Sequence, residues 1–273
     1  MKFPRQYIIV YPNQPRGLIN ISIIDEIQTS KKYSGLYEPL LRRICEEEYL
    51  KYNKHKEAVK AIKDTLHGMF GAYISADIFK KANKLLDARE TEKILQLHAS
   101  TKERYKYLAD FYKFIFGITG QAESILDIGC GFNPFTLGYF PKPPARYYAL
   151  DIDHRIADIN NRYFSQLGLP SLASCLDATT ETSKECADVA FLFKLLPLIE
   201  RQSKGRAITL LKSIKAKHIV VTYPTKSLTG KKKGMTTFYA AAFEEIINNS
   251  FKILAKEIIG DELIYIIALP HKL

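Results

Sequence analysis

The stretch Ser124-Ile125-Leu126-Asp127-Ile128-Gly129-Cys130-Gly131-Phe132-Asn133-Pro134 decides the fold. A short apolar strand runs directly into Gly-x-Gly. Two glycines leaving a strand let the backbone turn sharply and lie against a ligand, because no Cβ intervenes. The dinucleotide fingerprint G-x-G-x-x-G would place its third glycine at position 134, where this chain has Pro134. The close strand–helix packing of that fingerprint is therefore not expected, and the usual pyrophosphate cradle loses its form. A Gly-x-Gly alone is also compatible with a purely structural turn.

Outward from this turn toward the C-terminus, strand patterns recur at residues 146–150, 171–176, 187–193 and 218–223. Helix-length stretches at 155–167 and 205–214 lie between them. Such alternation predicts β-α-β units and a largely parallel sheet covered on both faces. Apolar runs at 251–259 and 262–268 flank Gly260-Asp261 and predict an antiparallel hairpin, so the sheet is expected to be mixed. Toward the N-terminus the pattern is helical. An apolar stripe opens at Glu38-Pro39-Leu40-Leu41 and runs to Ile44, and Val59, Ile62, Leu66 and Met69 recur at helical steps within 58–69. Further helices are predicted over 76–86, 90–97 and 101–116, the last with Tyr105, Leu108, Phe111, Tyr112 and Ile115 inward. The predicted organisation is a helical N-terminal domain over 1–116 and a Rossmann-like α/β domain with a C-terminal hairpin over 117–273.

With 273 residues, 47% hydrophobic and 25% charged, the chain can bury a core without disulfide or metal staples. No apolar run approaches the ~20 residues a membrane-spanning helix needs. The short apolar run Tyr7-Ile8-Ile9-Val10-Tyr11, between Pro4 and Pro12, is too brief for a signal-peptide core. Cys45, Cys130, Cys175 and Cys186 form no C-x-x-C pair, and the six histidines form no H-E-x-x-H. A metal site is not expected, and scattered thiols fit a cytoplasmic protein. The formal charge is +11, and residues 1–120 contain 21 basic against 14 acidic side chains. Lys51, Lys54, Lys56, Lys60 and Lys63 lie along one helical stretch of that half, where they form either a solvated face or a polyanion-binding one.

Two later acids give the glycine turn a ligand. Asp151 lies 22 residues after Gly129 at the end of the second strand, where a carboxylate can accept both hydroxyls of a ribose. Asp177 follows the third strand and can accept from the exocyclic amine of an adenine. Either acid could instead be a cap or turn residue. Three such features at successive strand ends nevertheless converge on one crevice, because ligands of open α/β sheets bind beyond the carboxyl ends of the strands. An adenosine without phosphates accounts for all three, and S-adenosyl-L-methionine fits that description.

Longer motifs add a resemblance. In chain order they are Leu97-His98-Ala99-Ser100-Thr101-Lys102-Glu103-Arg104, the stretch 124–134, Phe193-Lys194-Leu195-Leu196-Pro197, and Tyr223-Pro224-Thr225-Lys226-Ser227-Leu228-Thr229-Gly230-Lys231-Lys232-Lys233-Gly234-Met235. Together, over roughly residues 30–267, the chain resembles the aminoglycoside-resistance 16S ribosomal RNA methyltransferases of the Arm type. The resemblance implies a class I S-adenosylmethionine-dependent fold and methyl transfer to N7 of a guanine in the decoding site, within the assembled 30S subunit. It implies that Arg104 pairs with the methionyl carboxylate, with His98, Ala99 and Ser100 lining that end. Gly129 would lie under the amino acid part, Asp151 on the ribose, Asp177 and Ala178 at the adenine, and Phe193 and Gln202 would close the pocket. RNA contact falls to Lys194, Lys226, Lys231, Lys232 and Lys233.

That chemistry agrees with what the chain lacks. N7 of guanine carries an unprotonated lone pair, so attack on a methyl sulfonium needs no general base. Methylation at a pyrimidine C5 would need a thiolate, yet Cys130 and Cys175 read as packing residues. The Asn/Asp-Pro-Pro-aromatic pattern of amine methyltransferases is absent from 193–197. Three rivals stay open on the residues alone: a small-molecule methyltransferase, a non-enzymatic RNA-binding module, and methylation of a neighbouring decoding-site adenine at N1.

Overall fold

The computed structural model describes residues 21–71, 77–225 and 235–270. Five strands, β1 (Ser124–Ile128), β2 (Arg146–Asp151), β3 (Ala173–Cys175), β4 (Cys186–Phe193) and β5 (Lys215–Pro224), run parallel. A hairpin of β6 (Lys252–Ile259) and β7 (Glu262–Ala268) completes the sheet, with β7 antiparallel to β5 and β6 at the edge. The order is β3-β2-β1-β4-β5-β7-β6. Direction reverses on either side of β1, which places a topological switch point between β1 and β4, where open α/β sheets bind ligands.

Both faces of the central strands are buried, which is why they read as continuous apolar runs. One face carries Leu126, Ile128, Leu192, Val221 and Tyr265, covered by Leu210, Leu211 and Phe243. The other is aromatic: Phe191 stacks on Phe193 with centroids 4.7 Å apart, and Tyr112 lies 4.6 Å from Phe140.

The chain divides into two compact units between Gly71 and Ala72. In the first, α1 (Ile21–Gln28), α2 (Glu38–Tyr49) and α3 (His55–Leu66) bury Ile23, Ile27, Leu40, Leu41, Ile44, Ile62 and Leu66. The second unit holds α4 (Ile78–Asp87), the short α5 (Thr91–Ile94), α6 (Ala99–Arg104), α7 (Leu108–Thr119) and everything after them. The change of residue pattern near 116 thus falls inside the second unit. The reason is packing: Phe111, Tyr112 and Phe116 of α7 cover the aromatic face of the sheet.

The remaining helices are α8 (His154–Gln166), α9 (Leu196–Gln202), α10 (Arg206–Ser213) and α11 (Met235–Ile247). Two local patterns depart from the sequence reading. The helix expected over 101–116 is broken by a 3-10 turn at Tyr105–Tyr107, because Arg104 is drawn into the interior and Tyr107 packs on the β6–β7 turn. After the glycine turn the chain enters a 3-10 helix, Asn133–Tyr139, with Pro134 in its first turn. No described helix is long and apolar enough to cross a membrane.

Candidate cofactor site

The site grows from the end of β1. Gly129 and Gly131 have φ of +71° and +50°, conformations that L side chains reach only under strain. The turn is tight against its surroundings. A Cβ at Gly129 would lie 3.0 Å from Leu195 Cδ1, and one at Gly131 would lie 3.2 Å from His98 Cε1. Where a dinucleotide fold offers the N-terminus of an α-helix to a pyrophosphate, this chain offers a 3-10 turn.

Asp151 closes β2 beside this turn and is buried. Its carboxylate accepts the Gly131 N–H at 2.8 Å and the Ile152 N–H at 2.7 Å. Burial outweighs these bonds and pushes its pKa up to about 7. Asp177 follows β3, also buried, and its Oδ1 accepts the Thr179 N–H at 3.0 Å. Ala178 is buried next to it, and Thr179 Oγ1 meets Gln202 Oε1 at 3.4 Å. Asp177 and Ala178, expected at the adenine, are therefore brought together with Gln202, expected to help close the pocket.

His98 precedes α6 with its ring against Gly131 and edge-on to Phe132, centroids 6.0 Å apart. Desolvation, together with the charges of Lys194 and Arg104, lowers its pKa to about 4, so the imidazole is neutral at pH 7. Ala99 and Ser100 form the first turn of α6, whose start is fixed by Thr101 Oγ1 donating to the Leu95 carbonyl at 2.7 Å.

Arg104 ends α6 fully buried against the rings of Phe111 and Phe193, 4.6 and 4.5 Å from their centroids. Its fork has a partner that local sequence reading misses: Nε and Nη2 each donate to Glu262 at 2.9 Å. Nη1 donates to Asn133 Oδ1 at 3.2 Å. The bidentate pairing anticipated for a ligand carboxylate is thus made internally, and three of the five N–H groups of Arg104 are engaged. Lys194, expected to face RNA, instead turns inward. Its Nζ lies 2.7 Å from Glu103 and 3.4 Å from Glu262, with only 9% of the side chain exposed. A buried carboxylate at the start of β7 draws both cations in, and they hold its pKa below the usual range against the burial that would raise it.

A second missed group is Asp127 on the aromatic face of β1. It accepts from Tyr147 Oη at 2.7 Å and Asn133 Nδ2 at 2.8 Å, and burial raises its pKa to about 6. Asn133 thereby joins the Asp127 carboxylate to Arg104. Lys226, Lys231, Lys232 and Lys233 lie outside the described residues. Among the described residues no group of three or more His, Cys, Asp or Glu could hold a metal ion.

Comparison with known proteins decides the family. The profile "Ribosomal RNA methyltransferase (FmrO)" matches residues 29–266. The chain belongs to the FmrO family of ribosomal RNA methyltransferases. A relative from Serratia marcescens, named 16S rRNA (guanine(1405)-N(7))-methyltransferase, is 38% identical over 244 residues, covering 89% of this chain and 96% of its own. A relative of the same name from Micromonospora echinospora is 30% identical, covering 88% and 93%. The FmrO-family sheet is also seen in solved structures. The 16S rRNA methyltransferase RmtF, solved with S-adenosyl-L-homocysteine, superposes with a TM-score of 0.84 at 33% identity, covering 91% of this chain and 97% of that one. The 16S rRNA methylase RmtB superposes at 0.80 with 34% identity, covering 91% and 98%.

Proposed function

We propose that this protein is an S-adenosylmethionine-dependent methyltransferase that modifies N7 of guanine 1405 in 16S rRNA, acting on the assembled 30S subunit and conferring aminoglycoside resistance. One observation carries the reading. The glycine turn, Asp151 and Asp177 converge at the carboxyl ends of adjacent strands beside a 3-10 turn unsuited to a pyrophosphate, in a chain of the FmrO family. The tight turn under Leu195 and His98 and the two buried carboxylates fit an adenosine bearing an amino acid tail.

In this reading Asp151 accepts the ribose hydroxyls and Asp177, with Ala178, reads the adenine. Phe193 and Gln202 bound the pocket, and Gly129 lets the backbone approach the amino acid part. His98, Ala99 and Ser100 line the methionyl end. Arg104 serves that end through the N–H groups that Glu262 and Asn133 leave over, as a cation locked in place by its ion pair. S-adenosylmethionine supplies an activated methyl on a sulfonium. The protein supplies alignment, because guanine N7 needs no deprotonation, and alignment alone is worth up to ~7–11 kcal/mol in favourable cases. Neutral His98 adds no positive charge beside the tail.

RNA binding falls to Lys226 and Lys231–Lys233, and to the first unit, where Lys51, Lys54, Lys56 and Lys60 are exposed. These lysines would grip ribosomal phosphates. The target base is turned out of its helix toward the donor; a bound complex with that guanine still stacked refutes this step.

The test is methyl incorporation from labelled S-adenosylmethionine into purified 30S subunits, naked 16S rRNA and free nucleosides. Labelling of 30S alone, mapped to guanine 1405, is expected. Labelling of nucleosides favours a small-molecule enzyme. Cells expressing the protein should resist gentamicin and kanamycin and stay sensitive to apramycin; apramycin resistance points to the neighbouring adenine.

A further inference from the structure

The loop that carries Asp177 is held from outside by a residue with no other evident task. Arg206, the first residue of α10, reaches across and donates from Nε to the Ala178 carbonyl at 3.0 Å and from Nη2 to the Glu181 carbonyl. The peptide joining Ala178 to Thr179 is therefore gripped on both sides. Its carbonyl accepts from Arg206, and its N–H donates to Asp177 Oδ1 at 3.0 Å. A peptide unit is planar, so fixing the carbonyl direction fixes the opposite direction of the N–H. That N–H in turn holds the Asp177 carboxylate.

The anchor itself is rigid. Glu200 of α9 accepts the Gly205 N–H at 3.0 Å through Oε2 and the Ala207 N–H at 2.6 Å through Oε1, closing the α9–α10 corner around Arg206. On the loop side, the Glu181 carboxylate accepts the Asp177 N–H at 3.0 Å, and the Thr180 and Glu181 N–H groups return to the Asp177 carbonyl. The loop is a small closed turn, tied from outside by Arg206 at two backbone carbonyls and by the Thr179–Gln202 hydrogen bond. A guanidinium suits the first tie because its fork meets two carbonyls of one turn at fixed spacing.

We infer that Arg206 is a positioning residue for adenine recognition: through the Ala178–Thr179 peptide it sets the direction in which the Asp177 carboxylate is presented to the exocyclic amine of the cofactor. This rests on the proposed assignment of Asp177 to the adenine, and deepens it by naming what enforces that selectivity.

The test compares two ligands, S-adenosylhomocysteine and S-inosylhomocysteine, which carries an oxo group where adenine carries its amine. Calorimetry on the full chain measures both for the unaltered protein, R206A, R206K and D177A, with thermal melts to confirm folding. A misdirected hydrogen bond to a charged acceptor should weaken S-adenosylhomocysteine about tenfold in R206A while S-inosylhomocysteine changes less than about twofold. R206K, with one point donor in place of a fork, should fall between. Equal weakening of both ligands by R206A means a merely structural tie and overturns the inference, as does an unchanged preference. If R206A fails to fold, R206K and R206Q are read by the same ratio. Loss of preference in D177A with full preference in R206A overturns the role of Arg206 alone. No preference in the unaltered protein, or full preference in D177A, overturns the Asp177 assignment and the inference with it.

Discussion

Cofactor affinity should depend on pH through one buried carboxylate, Asp151. Desolvation lifts its pKa to about 7, against the opposing pull of the Gly131 and Ile152 N–H groups. Only the ionised form offers both oxygens as acceptors to a ribose. With a pKa near 7 the ionised fraction is about 0.9 at pH 8 and about 0.09 at pH 6, and apparent affinity scales with the competent fraction, so binding should weaken about tenfold across that interval. Titration calorimetry with S-adenosylhomocysteine from pH 6 to 8 reads this directly. The amino group of the ligand also titrates, but equally for every variant, so the comparison is with Asp151→Asn, which should bind more weakly and lose the Asp151 share of the slope. His98 contributes nothing in this range, since its pKa is near 4. Stability runs the other way. The folded chain holds the Asp151 proton more tightly than the unfolded chain, so that contribution is full below the ordinary carboxylate pKa and lost as pH rises through about 7. Cofactor-induced stabilisation should therefore grow with pH while the free protein loses a little. An Asp151→Asn protein with the same tenfold slope as the unaltered one would refute the reasoning.

Glu262→Gln leaves the buried Arg104 guanidinium without its opposite charge, and breaking such a pair should cost roughly 3–5 kcal/mol in chemical denaturation. Gly131→Ala forces a side chain into positive φ at about 1–2 kcal/mol and presses on His98, so cofactor binding measured by calorimetry should weaken in a protein that still folds. Gly260→Ala would drive a Cβ into the Tyr107 ring, and the melting temperature should fall. Adding Tyr107→Ala should recover part of that loss, and strictly additive effects would show the clash is not the cause. Replacing Lys231, Lys232 and Lys233 by Ala should shallow the salt dependence of 30S binding by about one unit of slope for each phosphate no longer neutralised, leaving cofactor affinity unchanged.

What could be read in the chain is what the chain states locally. The strands show as apolar runs because both sheet faces are covered, and Gly260-Asp261 marks the hairpin because the turn needs the positive φ that Gly260 adopts, +59°. The placement of Asp151 and Asp177 at adjacent strand ends was legible because a parallel sheet collects its strand ends on one rim. Glu262 was not. It stands 158 residues from Arg104, and nothing in Gly-Asp-Glu-Leu-Ile distinguishes a buried counter-ion from a surface acid. Partners remote in sequence likewise hid the inward turn of Lys194 and the break in the helix around Tyr105–Tyr107, where tertiary pull on Arg104 overrides a good helical pattern. Arg206 was equally silent, since its partners are two carbonyls, and a backbone acceptor leaves no trace in residue type.

The buried charges also explain how this architecture suits a reaction without a general base. Attack by neutral N7 on a sulfonium moves one positive charge from donor to base and leaves the net charge of the reacting pair unchanged, so neither a proton acceptor nor a large compensating field is needed. What the site must avoid is a charge that changes with conditions. Arg104 stays cationic, and Glu262 stays anionic because Arg104 and Lys194 lower its pKa. His98, lowered to about 4, stays neutral. The groups proposed for the methionyl end thus keep fixed charges across physiological pH, while the titrating carboxylates are Asp151 near 7, proposed for the ribose, and Asp127 near 6, beneath the glycine turn. On the proposed assignment, a donor held this way would have its binding tuned by pH at the ribose, with the geometry around the sulfur left alone. The single-turnover rate at saturating donor should accordingly vary less between pH 6 and 8 than the donor affinity does, and a rate that falls in parallel with Asp151 protonation would place that carboxylate in the chemistry rather than in the grip.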